Sequence, residues 1–374
     1  MLRSLDLFSG IGGFTWGLRD ICSPVAYCEI DPTATHLLQQ RMSNGQLPHA
    51  PICPDVSRLD KDSLAGRGNV DIILAGFPCQ GFSLMGHQTG YDHDGTSLYR
   101  HIVRLVSELR PALILLENVP TILCNGMHHV VHTLSKENGY ELRWTVMGAC
   151  DLGAPHMRRR WFCLAIRSDE DAQALVSRLS KIPCPDAFQW CESQAPPVMT
   201  LNQMRSRRIR CAALGNSVVP DCVRKAFHLL TQIPENDRPH CGGGKRRTWP
   251  IHGRCTPSLI VSQVTGYRLK RPCGTPPGRV FDPKLYTSIK PRSKLQTAPL
   301  IVQPVTSMWW MTPRHTNVSA ANVLTQRTLR DLPSQVRFER ATPDKLREGQ
   351  ISAEFVEWIM GFPAGWTDTE NESI

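Results

Sequence analysis

The sequence predicts a doubly wound α/β domain, and three observations carry that reading. Short apolar, β-rich runs alternate with helix-like stretches through residues 1–170. The runs in DIILAG and ALILLENV are almost continuously apolar, as suits strands buried on both faces of a parallel sheet. The first run also ends in a glycine-rich turn ahead of a helix-like stretch, the place where a backbone can approach a ligand.

The predicted strands are Leu2–Phe8, Val25–Ile30, Ile52–Val56, Val70–Ala75, Ala112–Glu117, Glu141–Met147 and Arg160–Ile166. Helices are expected near 12–20, 31–41, 97–109 and 126–137, which makes repeated βαβ units. After about residue 235 the composition changes. Residues 241–300 hold eight prolines and seven glycines with no clear helical period, as in a loop-rich, short-stranded segment. The pattern recovers from about 323, where EFVEWIMGF puts Phe355, Val356, Trp358, Ile359 and Phe362 on one helical face.

The 374 residues can hold one large domain and a smaller partner. With 41% apolar and 20% charged residues the composition is ordinary and globular. No run of about 18 apolar residues suggests a membrane span, and MLRSLDLFSG is not a signal peptide. A soluble, intracellular protein is expected, in cytoplasm or nucleus according to source. The fourteen cysteines contain no C-x-x-C pair, and His128, His129 and His132 lack cysteines at zinc-finger spacing, so reduced thiols and no metal are expected.

Charge is concentrated. Residues 241–300 carry twelve Lys/Arg against the single acid Asp282, a local +11 that exceeds the whole-chain +10. One basic block on a near-neutral body is the footprint of a nucleic-acid partner, although a solvated basic linker would look the same.

Four features point to a site at the carboxyl edge of the sheet. DLFSGIGG places Gly10, Gly12 and Gly13 after the first strand, and Thr15 in place of a third glycine disfavours NAD. Glu29 and Asp55 end the next two strands, where a carboxylate can accept from ribose hydroxyls. AGFPCQGFS puts Cys79 on a loop after strand four, stiffened by Pro78. Glu117 ends strand five, and period-two alternation sends Arg158 and Arg160 to one face. A thiol, a carboxyl and two arginines at one edge make a plausible reaction centre.

Together, DLFSGIGG, GFPCQGFS, ENVP, PHMRRR and GNSVVP resemble the motif set of the DNA (cytosine-5)-methyltransferases, over roughly residues 2–225. VLTQRT and GFPAGW resemble the family more weakly. The resemblance implies a Rossmann-like, S-adenosylmethionine-dependent methyltransferase domain over 1–235. It implies a smaller, basic target-recognition region over 236–345 and a C-terminal helix packing back over 346–374. Phe8, Ser9, Gly10 and Gly12 would line the S-adenosylmethionine site, with Ile30, Pro78 and Ser217 beside them. Glu29 would hold the ribose, Asp55 the adenine amine, and Asn216 would help close the cofactor side. Cys79 would add to cytosine carbon 6, Glu117 would protonate N3, and Arg158 and Arg160 would support loop and base. Double-stranded DNA would be the substrate, bound by a monomer, with Arg246, Arg247, Lys270 and Arg271 as phosphate contacts.

Two departures stand out. His156 occupies the position where the family usually has glutamine, and GNSVVP precedes the basic block instead of closing the chain. Two other functions suit the same residues: an RNA methyltransferase, whose Cys-Phe-Thr signature is absent, and a non-catalytic DNA-binding relative. Retention of Cys79, Glu117, Arg158 and Arg160 argues against the second.

Overall fold

In a computed structural model the structure describes residues 1–78, 94–197, 199–200, 205–233, 252–256 and 350–368. The chain enters on strand β1 (Leu2–Leu7), turns into the short helix α1 (Gly13–Gly17), and returns as β2 (Cys22–Cys28). Helix α2 (Pro32–Ser43), β3 (Ile52–Cys53), β4 (Ile72–Gly76), α3 (Asp94–Leu109) and β5 (Leu113–Asn118) complete the parallel part. Helices α4 (Ile122–Asn125) and α5 (Met127–Val130) lead through a π-helix at Val131–Glu137 into β6 (Tyr140–Met147). Then come β7 (Arg160–Arg167), α6 (Glu170–Leu179), β8 (Met199–Thr200), α7 (Arg205–Asn216) and α8 (Pro220–Thr231). Strand β9 (Gly253–Cys255), β10 (Gln350–Ile351) and α9 (Ala353–Met360) follow.

The main sheet has the order β3-β2-β1-β4-β5-β7-β6-β9. Strands β3 to β5 run parallel, whereas β7 is antiparallel to β5 and β6, and β9 is antiparallel to β6. The sheet is therefore mixed where the apolar runs suggested a parallel one. A parallel return from β6 would need a long crossover, usually helical, and residues 148–159 contain only a 3-10 turn at Ala149–Leu152. The apolar runs have a simple cause. Ile72 and Leu74 face one core with α1, α2, α6, α7, α8 and α9, while Ile73 and Ala75 face another with α3, α4 and α5. Every position of β4 before its last residue is buried, so alternation is lost.

Chain order reverses between β1 and β4. From β1 the chain goes to β2 and β3 on one side, while β4 and β5 lie on the other, which opens a crevice at their carboxyl ends. Expected boundaries move where local chemistry stops a ladder. Strand three shrinks to two residues because Asp55 caps the following 3-10 turn, Val56–Arg58, by accepting from the Ser57 amide at 2.8 Å. Helix α2 begins with Asp31 accepting from the Ala34 amide and Pro32 at the first helical position. Strand β9 draws residues 253–255 of the expected recognition region onto the sheet edge. There the buried Arg254 donates to Glu141 at 2.6 and 2.9 Å, so this cation of the basic block is taken up in the core.

The C-terminal segment is fastened to the body. Strand β10 pairs antiparallel with β8, and the Ser352 hydroxyl caps α9 while donating to the Pro197 carbonyl. Phe355, Val356, Trp358, Ile359 and Phe362 are all buried. The fully buried Glu357 accepts from the amides of Gly365 and Thr367, at 2.8 and 2.7 Å, and from the guanidinium of Arg210 at 3.2 Å. Arg210 also pairs with Glu354 and Asp368. Replacing Glu357 by alanine strands these donors in a dry site. We expect Glu357→Ala to lose about 3–5 kcal/mol, read as a lower urea midpoint with an unchanged slope.

Candidate active site

The turn leaving β1 is built from unusual backbone. Phe8, Gly10 and Gly12 all take positive φ, at 55°, 53° and 83°. For a bulky residue such as Phe8 that conformation costs about 1–2 kcal/mol, so neighbours must hold it. The Ser9 hydroxyl donates to the Asp6 carbonyl at 2.7 Å, and the Ser9 amide donates to the Cys28 carbonyl. The carboxylate of Glu29 accepts from the amides of Gly10 and Asp31, at 2.7 and 2.8 Å. Glu29 thus ties the β1 turn to the start of α2. Among the described residues nothing lies within 4 Å of where a Gly10 side chain would begin, which leaves space over the turn. Ile30, 78% exposed, stands beside it.

The same turn packs on the GNSVVP segment. A Cβ on Gly13 would meet Val218 Cγ2 at 2.8 Å and Ser217 Oγ at 2.9 Å, and one on Gly17 would meet the Pro220 carbonyl at 2.6 Å. Both contacts demand glycine. Ser217 is buried, whereas Asn216, the last residue of α7, is exposed.

Glu117 lies on β5, two strands over from β1. It pairs in register with Gly76 at the end of β4, and a Cβ on Gly76 would sit 3.3 Å from Glu117 Oε2 and 3.1 Å from Phe14 Cε2. The end of β4, the carboxyl of Glu117 and the first turn of α1 therefore converge at one point. Arg160 Nε is 2.9 Å from Glu117 Oε1. Burial pushes the Glu117 carboxyl above its usual range, against the opposing pull of Arg160 and Arg158. Arg158 turns elsewhere, donating to the carbonyls of Gly215 and Ser217, so it joins the GNSVVP segment to this edge. Asn118 donates to the Phe77 carbonyl at 3.0 Å and holds the strand end that leads to the exposed Pro78.

The structure thus gathers Phe8, Ser9, Gly10, Gly12, Glu29 and Ile30 at the β1 edge, and Glu117 and Arg160 across the crevice, with Arg158 bracing Ser217. Asp55 is half-buried just past the end of β3, where it forms a loose pair with Arg58 at 3.8 Å. Cys79 lies outside the described residues, as do Arg246, Arg247, Lys270 and Arg271. His156 is fully buried, with Nε2 2.7 Å from the Ile359 carbonyl of α9, and burial depresses its pKa to about 3. A neutral ring can make that contact as well as an amide could. Among the described residues no group of three or more His, Cys, Asp or Glu could hold a metal. None of their helices is long and apolar enough to cross a membrane.

Sequence reasoning missed Asp6, Asn118 and Trp366. Each sits inside a motif already singled out, but a role for it depends on contacts between distant segments. The architecture and site define an α/β fold with a buried, raised carboxyl at the sheet edge where the strand order reverses. Residues 2–227 match the family described as C-5 cytosine-specific DNA methylase. The chain is 31% identical to the type II methyltransferase M.CviJI of Paramecium bursaria Chlorella virus IL3A, over 96% of each chain. It is also 31% identical to the type II methyltransferase M.HhaI of Haemophilus parahaemolyticus, over 46% of this chain and 51% of that one. It is 30% identical to M.BsuFI of Bacillus subtilis, over 45% and 40%. The chain belongs to the C-5 cytosine-specific DNA methylase family, and is a DNA (cytosine-5)-methyltransferase. These relatives favour DNA over the RNA and non-catalytic readings.

Asp6 offers a test of this region. Its Oδ2 accepts from the Thr15 hydroxyl at 2.6 Å, while Oδ1 is buried with no hydrogen-bond partner among the described residues. Burial raises its pKa from the ordinary 3.8 to about 7; the Thr15 hydrogen bond opposes the shift and the charge of Glu29 adds to it. The folded state keeps a proton that the unfolded chain gives up, so the stability from this group is full below about pH 4 and falls as pH rises to about 7. Urea unfolding across that window should show a decline that Asp6→Asn flattens, by a difference on the order of 4 kcal/mol at most.

Proposed function

We propose that this enzyme transfers the methyl group of S-adenosylmethionine to carbon 5 of a flipped-out cytosine in duplex DNA, through a covalent adduct of Cys79, acting as a monomer. The observation that carries the reading is Glu117. It is a buried carboxyl with a raised pKa, in register with Gly76, three residues before Cys79 in the chain.

The β1 turn suits the methyl donor. The space that the described residues leave over Gly10, the carboxylate of Glu29 and the exposed Ile30 offer close backbone approach, a ribose acceptor and an apolar surface for a base. Phe8, Ser9, Gly10, Gly12, Glu29, Ile30, Asp55, Pro78, Asn216 and Ser217 would hold S-adenosylmethionine, which supplies the methyl group. Cys79 forms a bond from sulfur to cytosine carbon 6, and the electron pair moves toward carbon 5. Glu117, protonated, gives its proton to N3 and stabilises that addition. Arg160 fixes the orientation of the carboxyl, and Arg158 holds the loop around Ser217. After carbon 5 gains the methyl group its proton passes to solvent water, the electron pair left behind re-forms the double bond between carbons 5 and 6 and expels the Cys79 thiolate, and Glu117 recovers its proton from N3. The base must leave the duplex stack to reach these groups.

DNA containing 5-fluorocytosine tests the mechanism, because fluorine at carbon 5 cannot leave as a cation. With S-adenosylmethionine present we expect a denaturation-resistant protein–DNA complex. Cys79→Ser should abolish it, since a hydroxyl is a far weaker nucleophile than a thiol, and Glu117→Gln should slow it strongly. No adduct on heterogeneous DNA, with protein folded and donor bound, would sink the covalent mechanism.

Residues 236–345 are proposed as the target-recognition region, with Arg246, Arg247, Lys270 and Arg271 on phosphates. Affinity for DNA should then fall steeply with salt, and neutralising these four should flatten the slope. An unchanged slope would return the block to a solvated linker.

A further inference from the structure

The C-terminal segment reaches the turn on which the proposed donor site is built. Trp366 is fully buried, and its indole N–H donates to the carbonyl of Ile11 at 3.0 Å. Its ring lies 4.9 Å from that of Trp16 and 5.3 Å from that of Phe362. The peptide between Ile11 and Gly12 is consequently gripped at both ends, because the Gly12 amide donates to the Ser9 carbonyl at 2.9 Å. Gly12 can accept either sense of a flipped peptide, so its local sequence does not choose the orientation. The indole does.

Trp366 is itself held from several sides. Arg41 on α2 donates to the carbonyls of Gly365 and Asp368, at 3.0 and 3.2 Å. Glu357 takes the amides of the residues on either side of Trp366. A side chain fixed this firmly, more than 350 positions along the chain from its acceptor, can set the shape of the turn.

We propose that Trp366 is a positioning residue for methyl-donor binding, holding the Ile11–Gly12 peptide so that the turn is preformed for its ligand. The proposal rests on the reading of Phe8–Gly12 as the donor site. Trp366→Phe keeps an aromatic ring and removes the hydrogen bond. Phe362→Leu disturbs the same stack and leaves the bond in place, so it reports on packing alone. Calorimetry with S-adenosylmethionine should show a dissociation constant raised about three- to tenfold in Trp366→Phe, the worth of one hydrogen bond. The KM for the donor should rise more than kcat falls, and affinity for duplex DNA should hold. Hydrogen exchange should show faster amide exchange over residues 10–13, with β4 and β5 still protected. Phe362→Leu should melt earlier with unchanged donor affinity. Equal donor affinity in Trp366→Phe and the parent protein would overturn the proposal while leaving the donor site standing. So would equal weakening in Phe362→Leu, which would mean general loosening. A folded parent protein that does not bind S-adenosylmethionine would overturn the donor reading and this proposal with it.

Discussion

The turn between β1 and α1 is the constraint on which the rest of this protein depends. Three of its five residues take positive φ, and one of these is a phenylalanine that gains nothing locally from doing so. The conformation persists because it is over-determined. Glu29 holds Gly10, Ser9 ties the turn to β2, Asp6 and Thr15 close a buried hydrogen bond beneath it, and Trp366 grips Ile11. Strain of this kind marks a place where the backbone is shaped for something other than its own stability. Here that shape opens toward the crevice where the strand order reverses.

Electrostatics at the crevice follow from burial in the same framework. Glu117 is pressed between the end of β4 and Arg160, with too little solvent to favour its charge and the guanidinium charges of Arg160 and Arg158 to temper the cost. Arg158 is spent on backbone carbonyls of the Gly215–Ser217 corner and so acts as a brace. Two arginines that alternate identically in the sequence thus do different work, and only their surroundings separate them.

The displaced C-terminal segment shows how little chain order matters once elements can pack. His156, Trp190, Arg207 and Arg210 all reach residues of 350–368, and β10 completes a small ladder with β8. Packing requires complementary surfaces and paired polar groups, and a long intervening stretch adds only a slowly growing closure entropy. Similarity to M.CviJI runs through 96% of both chains, the C-terminal segment included in that span.

Much of the catalytic body was legible. Seven strands of the main sheet and the turn at Gly10 follow from apolar runs and glycine placement, because local backbone preference and burial leave a direct trace in residue type. Less legible were the direction of β7, the shortness of β3, and the addition of β9, since each depends on how far a connection reaches or which residue caps a turn. The sequence by itself determined the α/β class, the family, and the residue types at the crevice edge. Only the tertiary structure decided that Glu117 is buried against Gly76, that Arg158 and Arg160 part ways, and that Trp366 meets Ile11. Those outcomes arise from contacts between segments far apart in the chain. The residue types permit them, but only the packed arrangement selects one partner for each group.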